Sequence, residues 1–397
     1  MTDAVGSGFS ELVRPLGPDA FLAEVSGRAP RHFPGDPARF QSLFSFAEMN
    51  RLLGMWRLWT DRTFKVVLDG RDVPSEEFCV AGQDRQGNPA MLVDGSRVEA
   101  LLTRGATVVL DVMESLSPAV RRMAHTLQSA LGGTVVCNVY CSFEAHAGFP
   151  SHYDTTDVFA LHIDGVKRWR VYQGRADRPV ERPGHSYAWQ SREHHDRAKG
   201  PALMEVEMTP GDVLYLPRGQ YHDALAQSGA SLHLSFGITR PTALDFMGVL
   251  GESLPDDPLF REELPHFDSP QAVAGALSAV GRRLQELASD PQLAAQVCTW
   301  QRERVFRDLP PAMGLPARDA QTRVRIRRGA RVSYDGTALT VSGHPVELAA
   351  PHHAVVTWML SREIFLASEL ISECAMPEAD ARALLEHLSS SGLIEPV

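Results

Sequence analysis

Cysteine is scarce in this chain, and what there is forms no framework. The five cysteines are Cys79, Cys137, Cys141, Cys298 and Cys374; the number is odd, and only Cys137 and Cys141 lie close together. That excludes a disulfide scaffold and leads us to expect a reducing compartment. Cys137-x-x-x-Cys141 has no second Cys or His pair at structural-zinc spacing, so it reads as core rather than half of a zinc site. Basic residues are also outnumbered: 39 Lys and Arg stand against 49 Asp and Glu, a formal net charge of −10. A field of that sign does not steer a protein to nucleic acid. Long apolar runs are missing too. No stretch approaches the ~18–20 residues of a membrane span. Met1-Thr2-Asp3 leads into no basic-then-apolar segment, so no signal peptide and a cytoplasmic location are expected.

What is present is ordinary globular material, 44% hydrophobic and 22% charged over 397 residues, enough for two or three domains. Phe64 to Leu68 and Thr107 to Leu110 are β-rich and predict strands. Asp69-Gly70 and the segment Asp84 to Asn88 carry turn chemistry between them. Val120, Met123, Leu127 and Leu131 recur at helical spacing over 117–131, and Gly132-Gly133 ends the run. From 134 to 240 the chain predicts many short strands: Thr134 to Tyr140, Val158 to Ile163, Lys167 to Tyr172, Met204 to Met208, Asp212 to Leu216 and Ser231 to Ile238. Such spacing predicts a sandwich or barrel. The polar segment 174–200, with His185, His194 and His195, reads as a long solvated surface loop. Helical runs follow at Ser269 to Ala288 and Pro291 to Arg307, and Pro310-Pro311 marks a linker. Strand-like Thr322 to Arg327 and Ala338 to Val341, then helical His352 to Leu360, Ala367 to Cys374 and Glu378 to Ser390, predict a small winged-helix unit over 316–397.

The chemistry concentrates in two segments. In Gly148-Phe149-Pro150-Ser151-His152-Tyr153-Asp154, a His and an Asp two apart on a strand project to one face. Alone, His-x-Asp is a weak signal. The second segment, Gly211 to His222, runs Gly, five residues, Pro217-x-Gly219, two residues, His222, and is similar to the second cupin motif. The asparagine that often follows in that motif is replaced by Ala226. His152, Asp154 and His222 together make two imidazoles and one carboxylate, the facial triad of non-haem Fe(II) oxygenases, although the same donors admit zinc or nickel.

A family resemblance enters at His152 to Tyr172, with Cys137-Asn138-Val139-Tyr140 upstream and Ser231-Leu232-His233-Leu234-Ser235 downstream. These stretches resemble the core of the JmjC ribosomal oxygenases over about 135–240. The resemblance implies a mainly β catalytic core: a double-stranded β-helix (cupin/JmjC jelly roll) at 1–240. An α-helical dimerisation domain at 241–315 and a winged-helix domain at 316–397 would follow. It also implies Fe(II), O2 and 2-oxoglutarate. The far carboxylate of 2-oxoglutarate would be held by Lys167, fifteen positions after His152, with Asn138 and Ser235 lining the same pocket. A buried dicarboxylate needs such a fixed cation. His233 is expected to be structural, since the triad is complete without it.

The implied reaction decarboxylates 2-oxoglutarate to succinate and CO2 and hydroxylates an unactivated C–H bond. Relatives act on histidine or arginine side chains of ribosomal proteins, and Tyr140 matches a substrate-contacting tyrosine of the histidine hydroxylases. Two positions depart from them. Gly237 stands where those enzymes have serine, and Thr155-Thr156 follows Asp154 where many have an acidic second residue. Ser235-Phe236-Gly237 is closer to the arginine type. The substrate therefore stays open between a ribosomal protein and the peptide precursor of a natural product. An iron cupin enzyme without 2-oxoglutarate is a further alternative, as is a noncatalytic JmjC/winged-helix regulator or scaffold. DNA is disfavoured because 351–397 holds two basic and seven acidic residues, a net of −5. The strip Arg323-Arg325-Arg327-Arg328-Arg331 reads as a solvated strand face. A homodimer and a protein or peptide partner complete the expectations.

Overall fold

The computed structural model describes residues 8–55, 58–83, 87–143, 149–182, 187–306, 323–327, 330, 332–362 and 364–396. Asp84, Gly148, His185, Arg328, Arg331 and Pro310-Pro311 lie outside the described residues. The chain divides into two compact units with the break between Leu287 and Ala288.

The first unit is built on a nine-stranded antiparallel sheet. Its strands are β1 (Arg31–Phe33), β2 (Phe64–Leu68), β3 (Arg71–Asp72), β6 (Thr107–Leu110), β7 (Thr134–Phe143), β8 (Asp157–Arg175), β9 (Ala202–Met208), β10 (Val213–Leu216) and β11 (Gln220–Thr239). A separate hairpin pairs β4 (Cys79–Gln83) with β5 (Pro89–Val93). The sheet order is β1-β10-β8-β11-β7-β6-β2-β3, with β9 also on β8. Two long strands organise it. The segments Val158 to Ile163 and Lys167 to Tyr172 are one strand, β8, and Ser231 to Ile238 is the second half of β11. The sequence breaks them at Asp164-Gly165, which reads as a turn. Instead, Gly165 lets β8 bend without ending: its φ is +71°, and a Cβ there would meet the Ala230 carbonyl oxygen at 2.1 Å. Opposite the bend, the β8–β11 register slips between Ala226 and Leu232. Bulges of this kind are how a flat ribbon curls toward closure.

Alternation then separates two faces. Cys137, Val139 and Cys141 of β7, Phe159 and Leu161 of β8, and Leu232, Leu234 and Phe236 of β11 join the main hydrophobic core. There they meet the N-terminal residues Phe9, Leu12 and Phe21. Phe21 packs edge-on to Tyr215 at 5.0 Å and lies 5.6 Å from Phe159. Burying each such ring contributes about 2–3 kcal/mol. A smaller cluster on the opposite face holds Val158, Ala160, Trp169, Val171, Met208, Leu214 and Leu216. That second face carries the cavity described below. The expected helix runs Pro118–Leu131, with Pro at its first position, Gly132 left-handed at its end, and Val120, Ala124, Leu127 and Leu131 buried.

The segment 174–200 is not all loop. Ser191 caps a short helix, Arg192–Ala198, by accepting from the His194 N–H. The helix has no apolar stripe to betray it, and its one buried residue is a histidine. Helices Ala243–Ser253 and Pro270–Ala288 follow; the latter ends at the break.

The second unit holds the helix Pro291–Phe306, then β12 (Arg323–Ile326), β13 (Val332–Tyr334), β14 (Leu339–Val341), β15 (His344–Val346), β16 (Ile364–Leu366) and β17 (Ile394–Pro396). These form two three-stranded sheets, β16-β12-β17 and β13-β14-β15. Helices His352–Leu360, Ala367–Ser372 and Glu378–Ser390 close a core of Val324, Val356, Met359, Phe365, Leu370, Leu384 and Leu388. The arginine face of β12 is not simply solvated. Arg325 pairs with Glu395 at 2.7 Å, and Arg327 lies 3.8 Å from the same carboxylate. The sequence shows the alternation of the arginines but not that Glu395, some seventy residues on, is their partner across β17.

Candidate metal centre and cavity

Two backbone segments bring the triad together. His152 and His222 exchange reciprocal backbone hydrogen bonds, N to O, at 2.9 and 2.8 Å, as an isolated bridge. The expected strand at His152-x-Asp154 is therefore only this one bridge; Asp154 lies beyond it in irregular chain. The Asp154 main chain is held there by a different device. Gly219, at φ +85°, donates its N–H to the Asp154 carbonyl at 2.9 Å, and a Cβ would lie 2.3 Å from the Ala176 carbonyl oxygen. Only glycine makes that turn, which is the physical content of the Pro-x-Gly spacing before His222.

The donor atoms converge. His152 Nε2 is 3.9 Å from one Asp154 oxygen, and His222 Nε2 is 3.7 Å from the other. One ligand atom from each of the three residues lies within 4.8 Å of the others. Each histidine has its second nitrogen engaged: His152 Nδ1 lies 2.9 Å from the Pro150 carbonyl oxygen, and His222 Nδ1 lies 2.9 Å from that of Gln220. A carbonyl accepts only from N–H, so both rings are Nδ1–H tautomers with a free Nε2 lone pair, the form that binds a metal. Burial, and next the neighbouring His152, push the His222 pKa down and keep that lone pair available.

From this triad a cavity runs inward between β7, β8 and β11. Thr107, Tyr140, Lys167, Trp169, His233 and Ser235 line it, and Phe149 and Val158 contribute apolar wall. Trp169 stacks over His222 at 5.8 Å, and Tyr140 stacks on His233 at 4.8 Å. Asn138 is paired directly across β7–β11 with Ser235 and leaves its buried Oδ1 without a partner. His233 supplies no atom to the triad cluster and likewise leaves a buried Nδ1 unpartnered.

Lys167 is the most telling group. It is 4% exposed, and its Nζ donates to Ser142 Oγ at 3.0 Å, which also accepts from Thr107 Oγ1. No carboxylate among the described residues lies within ion-pair distance. Desolvation alone therefore dominates, and its pKa falls to about 8. A buried ammonium answered only by a hydroxyl is costly unless an anion completes it.

Comparisons with known proteins bear on the domain and the fold. Residues 112–246 match the model of the JmjC domain. Mouse ribosomal oxygenase 2 is 30% identical over 307 residues, which cover 72% of this chain and 61% of that protein. The chain carries a JmjC domain over residues 112–246 and is similar to the ribosomal oxygenases. Rat ribosomal oxygenase 1 is 28% identical over 266 residues, covering 65% of this chain and 42% of that protein. The chain thus spans about three fifths or less of the length of these relatives. A solved structure of the ribosomal oxygenase YcfD from Escherichia coli, in complex with cobalt and 2-oxoglutarate, superposes with a TM-score of 0.54 at 16% identity. It covers 95% of this chain and 97% of that one. At that identity the match establishes the fold, and the large antiparallel sheet is accordingly a cupin-type jelly-roll core.

Of the residues the sequence singles out, His152, Asp154, His222, Lys167, Ser235 and Tyr140 line this cavity, while Asn138 lies across the sheet from Ser235 and is not part of its lining; Thr107 carries no sequence signal for the site. The sequence misplaces His195. Expected to be solvated, it is 1% exposed and sits directly behind the triad. No helix among the described residues is long and apolar enough to cross a membrane.

Proposed function

We propose that the protein is an Fe(II)- and 2-oxoglutarate-dependent oxygenase that hydroxylates an amino-acid side chain, of histidine or arginine type, in a protein or peptide. The observation that carries this reading is the pairing of features in one cavity. A triad of two Nε2 lone pairs and a carboxylate stands at its mouth, and a buried ammonium lacking any carboxylate stands deeper in. That pairing fits a metal chelated by one end of a dicarboxylate whose other end meets Lys167.

His152, Asp154 and His222 would hold the iron on one side and leave positions open on the other. When bound, iron with 2-oxoglutarate supplies dioxygen activation coupled to loss of CO2. The chain's own residues do the rest. Lys167, with Ser142 as its hydroxyl partner, would meet the far carboxylate; Ser235 lines the same wall, with Asn138 paired across the strands from it. Trp169 and Val158 exclude water, and Tyr140 orients the side chain to be hydroxylated. The YcfD complex with cobalt and 2-oxoglutarate supports this assignment by analogy of fold. Relatives named as ribosomal oxygenases make a ribosomal protein the favoured substrate class.

The remaining architecture follows the same proposal. Helix Pro270–Ala288 buries none of its residues, and Leu264, Leu277 and Phe267 are 66%, 57% and 82% exposed, which suits a homodimer. The second unit, with its helices and small sheets, suits a winged-helix domain used for protein contacts.

The experiment is anaerobic addition of Fe(II) and then 2-oxoglutarate, followed by mass spectrometry of ribosomal proteins and candidate peptides with active enzyme. A visible charge-transfer band and a mass gain of one oxygen on one side chain are expected. Iron binding with no band would leave a cupin enzyme that dispenses with 2-oxoglutarate, and neither iron nor band would leave a scaffold.

A further inference from the structure

Behind the triad, on the side away from the cavity, lies a dense cluster of aromatic and polar side chains that the proposed chemistry does not use. Tyr153 is the chain neighbour of both His152 and Asp154, and Tyr221 precedes His222. Both are buried, and they meet edge-to-face at 5.2 Å and 83°. His195 of the short helix Arg192–Ala198 completes the cluster. Its Nε2 lies 3.1 Å from the Tyr187 carbonyl oxygen, and its Nδ1 lies 2.8 Å from the Tyr221 hydroxyl. A carbonyl accepts only from N–H. Nε2 therefore carries the proton, and Nδ1 accepts from Tyr221. His195 also stacks on Tyr187 at 3.8 Å and meets Tyr153 edge-on at 5.9 Å, and the Tyr187 ring in turn faces the edge of His152 at 6.1 Å. One buried imidazole, in one tautomer, thus touches three tyrosines that flank or face both candidate metal histidines.

The same helix grips the chain just before His152. Arg192 donates to the Ser151 carbonyl and hydroxyl oxygens, each at 3.0 Å, and Lys199 donates to the same hydroxyl at 3.1 Å. Asp196 sits between these cations and bonds both, at 2.8 and 3.1 Å.

We propose that His195 is a positioning residue for the metal centre: through its hydrogen bond to Tyr221 and its ring contacts with Tyr187 and Tyr153, it sets the directions in which His152 and His222 present Nε2. This rests on the metal reading above. The physical reason is angular. Metal affinity falls steeply when an imidazole turns away from its ligand direction, and groups that orient ligands from behind typically carry 10–100-fold of affinity. A residue that merely filled space there would need neither its fixed tautomer nor a partner on both nitrogens. Phenylalanine would pack as well but would strand the Tyr221 hydroxyl.

The test is Co2+ binding to the full chain, followed by calorimetry and by the visible absorption of the bound ion, with metal-free melting as the control for folding. Binding by the unaltered protein checks the metal reading itself; absence of binding there defeats that reading rather than this one. His195→Phe is expected to weaken Co2+ about tenfold and to change the visible spectrum while metal-free melting stays close to that of the unaltered protein. Tyr221→Phe, which removes only a hydroxyl, is expected to weaken it about threefold. A His195→Phe protein with unchanged affinity and spectrum overturns the proposal. If His195→Phe does not fold, Tyr221→Phe decides alone, and an unchanged affinity and spectrum there overturn it equally.

Discussion

The two ends of the cavity are built on opposite terms. At the triad, the side chains of His152 and Asp154 are 26% and 41% exposed, and every polar group has a fixed partner or a convergent neighbour. At Lys167 the ammonium is buried, and among the described residues its charge is answered only by a hydroxyl. An open end suits a metal that must receive dioxygen and a bulky polypeptide side chain. A closed end suits a small anion that stays put while larger substrates come and go. On the proposed reading, binding energy would arise in ligand geometry at the mouth and in relief of an unpaired charge at the base.

The largest expected effect removes one end altogether. His222→Ala should abolish detectable Co2+ or Fe(II) binding, a loss of at least about 100-fold, because two donors cannot hold what three do. Calorimetry reads it, and retained tight binding would move the metal elsewhere. Next comes the other end. Lys167→Met should weaken 2-oxoglutarate about 100-fold while leaving Co2+ affinity within about threefold. Simultaneous loss of both would show that the two ends are not separable.

The same substitution has an opposite effect on the empty protein. The folded Lys167 pKa, about 8, lies below the ordinary 10.5. The unfolded chain therefore holds this proton more firmly, so the stability of the ligand-free protein rises with pH between about 8 and 10.5 and is lowest below. Lys167→Met removes that slope and should stabilise the ligand-free protein at neutral pH by roughly 2–3 kcal/mol. Denaturant midpoints of the two proteins, compared at two pH values, check the sign. Ser142→Ala should act more gently, weakening 2-oxoglutarate a few-fold by removing the hydroxyl that Lys167 now uses. Smallest for the metal and cosubstrate is Tyr140→Phe. It should leave Co2+ and 2-oxoglutarate binding unchanged within about twofold and raise KM for the polypeptide.

The sequence shows this contrast unevenly. His152, Asp154 and His222 are legible because ligand chemistry demands those residue types and the Pro217-x-Gly219 turn demands its glycine. Lys167 is legible only through the resemblance; a lysine just past Asp164-Gly165 looks solvated until β8 is seen to continue through the bend. Its partners Ser142 and Thr107 are ordinary strand residues, and nothing local marks which face they take. The sequence misleads at His195 for a related reason. It lies in a charged stretch without apolar periodicity, and its burial depends on tyrosines that are distant in sequence. Glu395 repeats the lesson in the second unit, where alternation exposes an arginine face but not the carboxylate that answers it.

The reciprocal backbone bonds between His152 and His222 have a consequence for metal traffic. Two of the three proposed ligands are already clamped to each other by the main chain, so loading an ion would require little ordering and losing one would leave the template standing. A rigid, preassembled receptor of this kind has small means of rejecting ions of similar radius. Its preference then follows the intrinsic ranking of divalent metals, in which nickel and zinc outrank iron. Occupancy by iron becomes a matter of what the surroundings deliver, and zinc or nickel in excess is expected to displace it and lock the centre in a silent form.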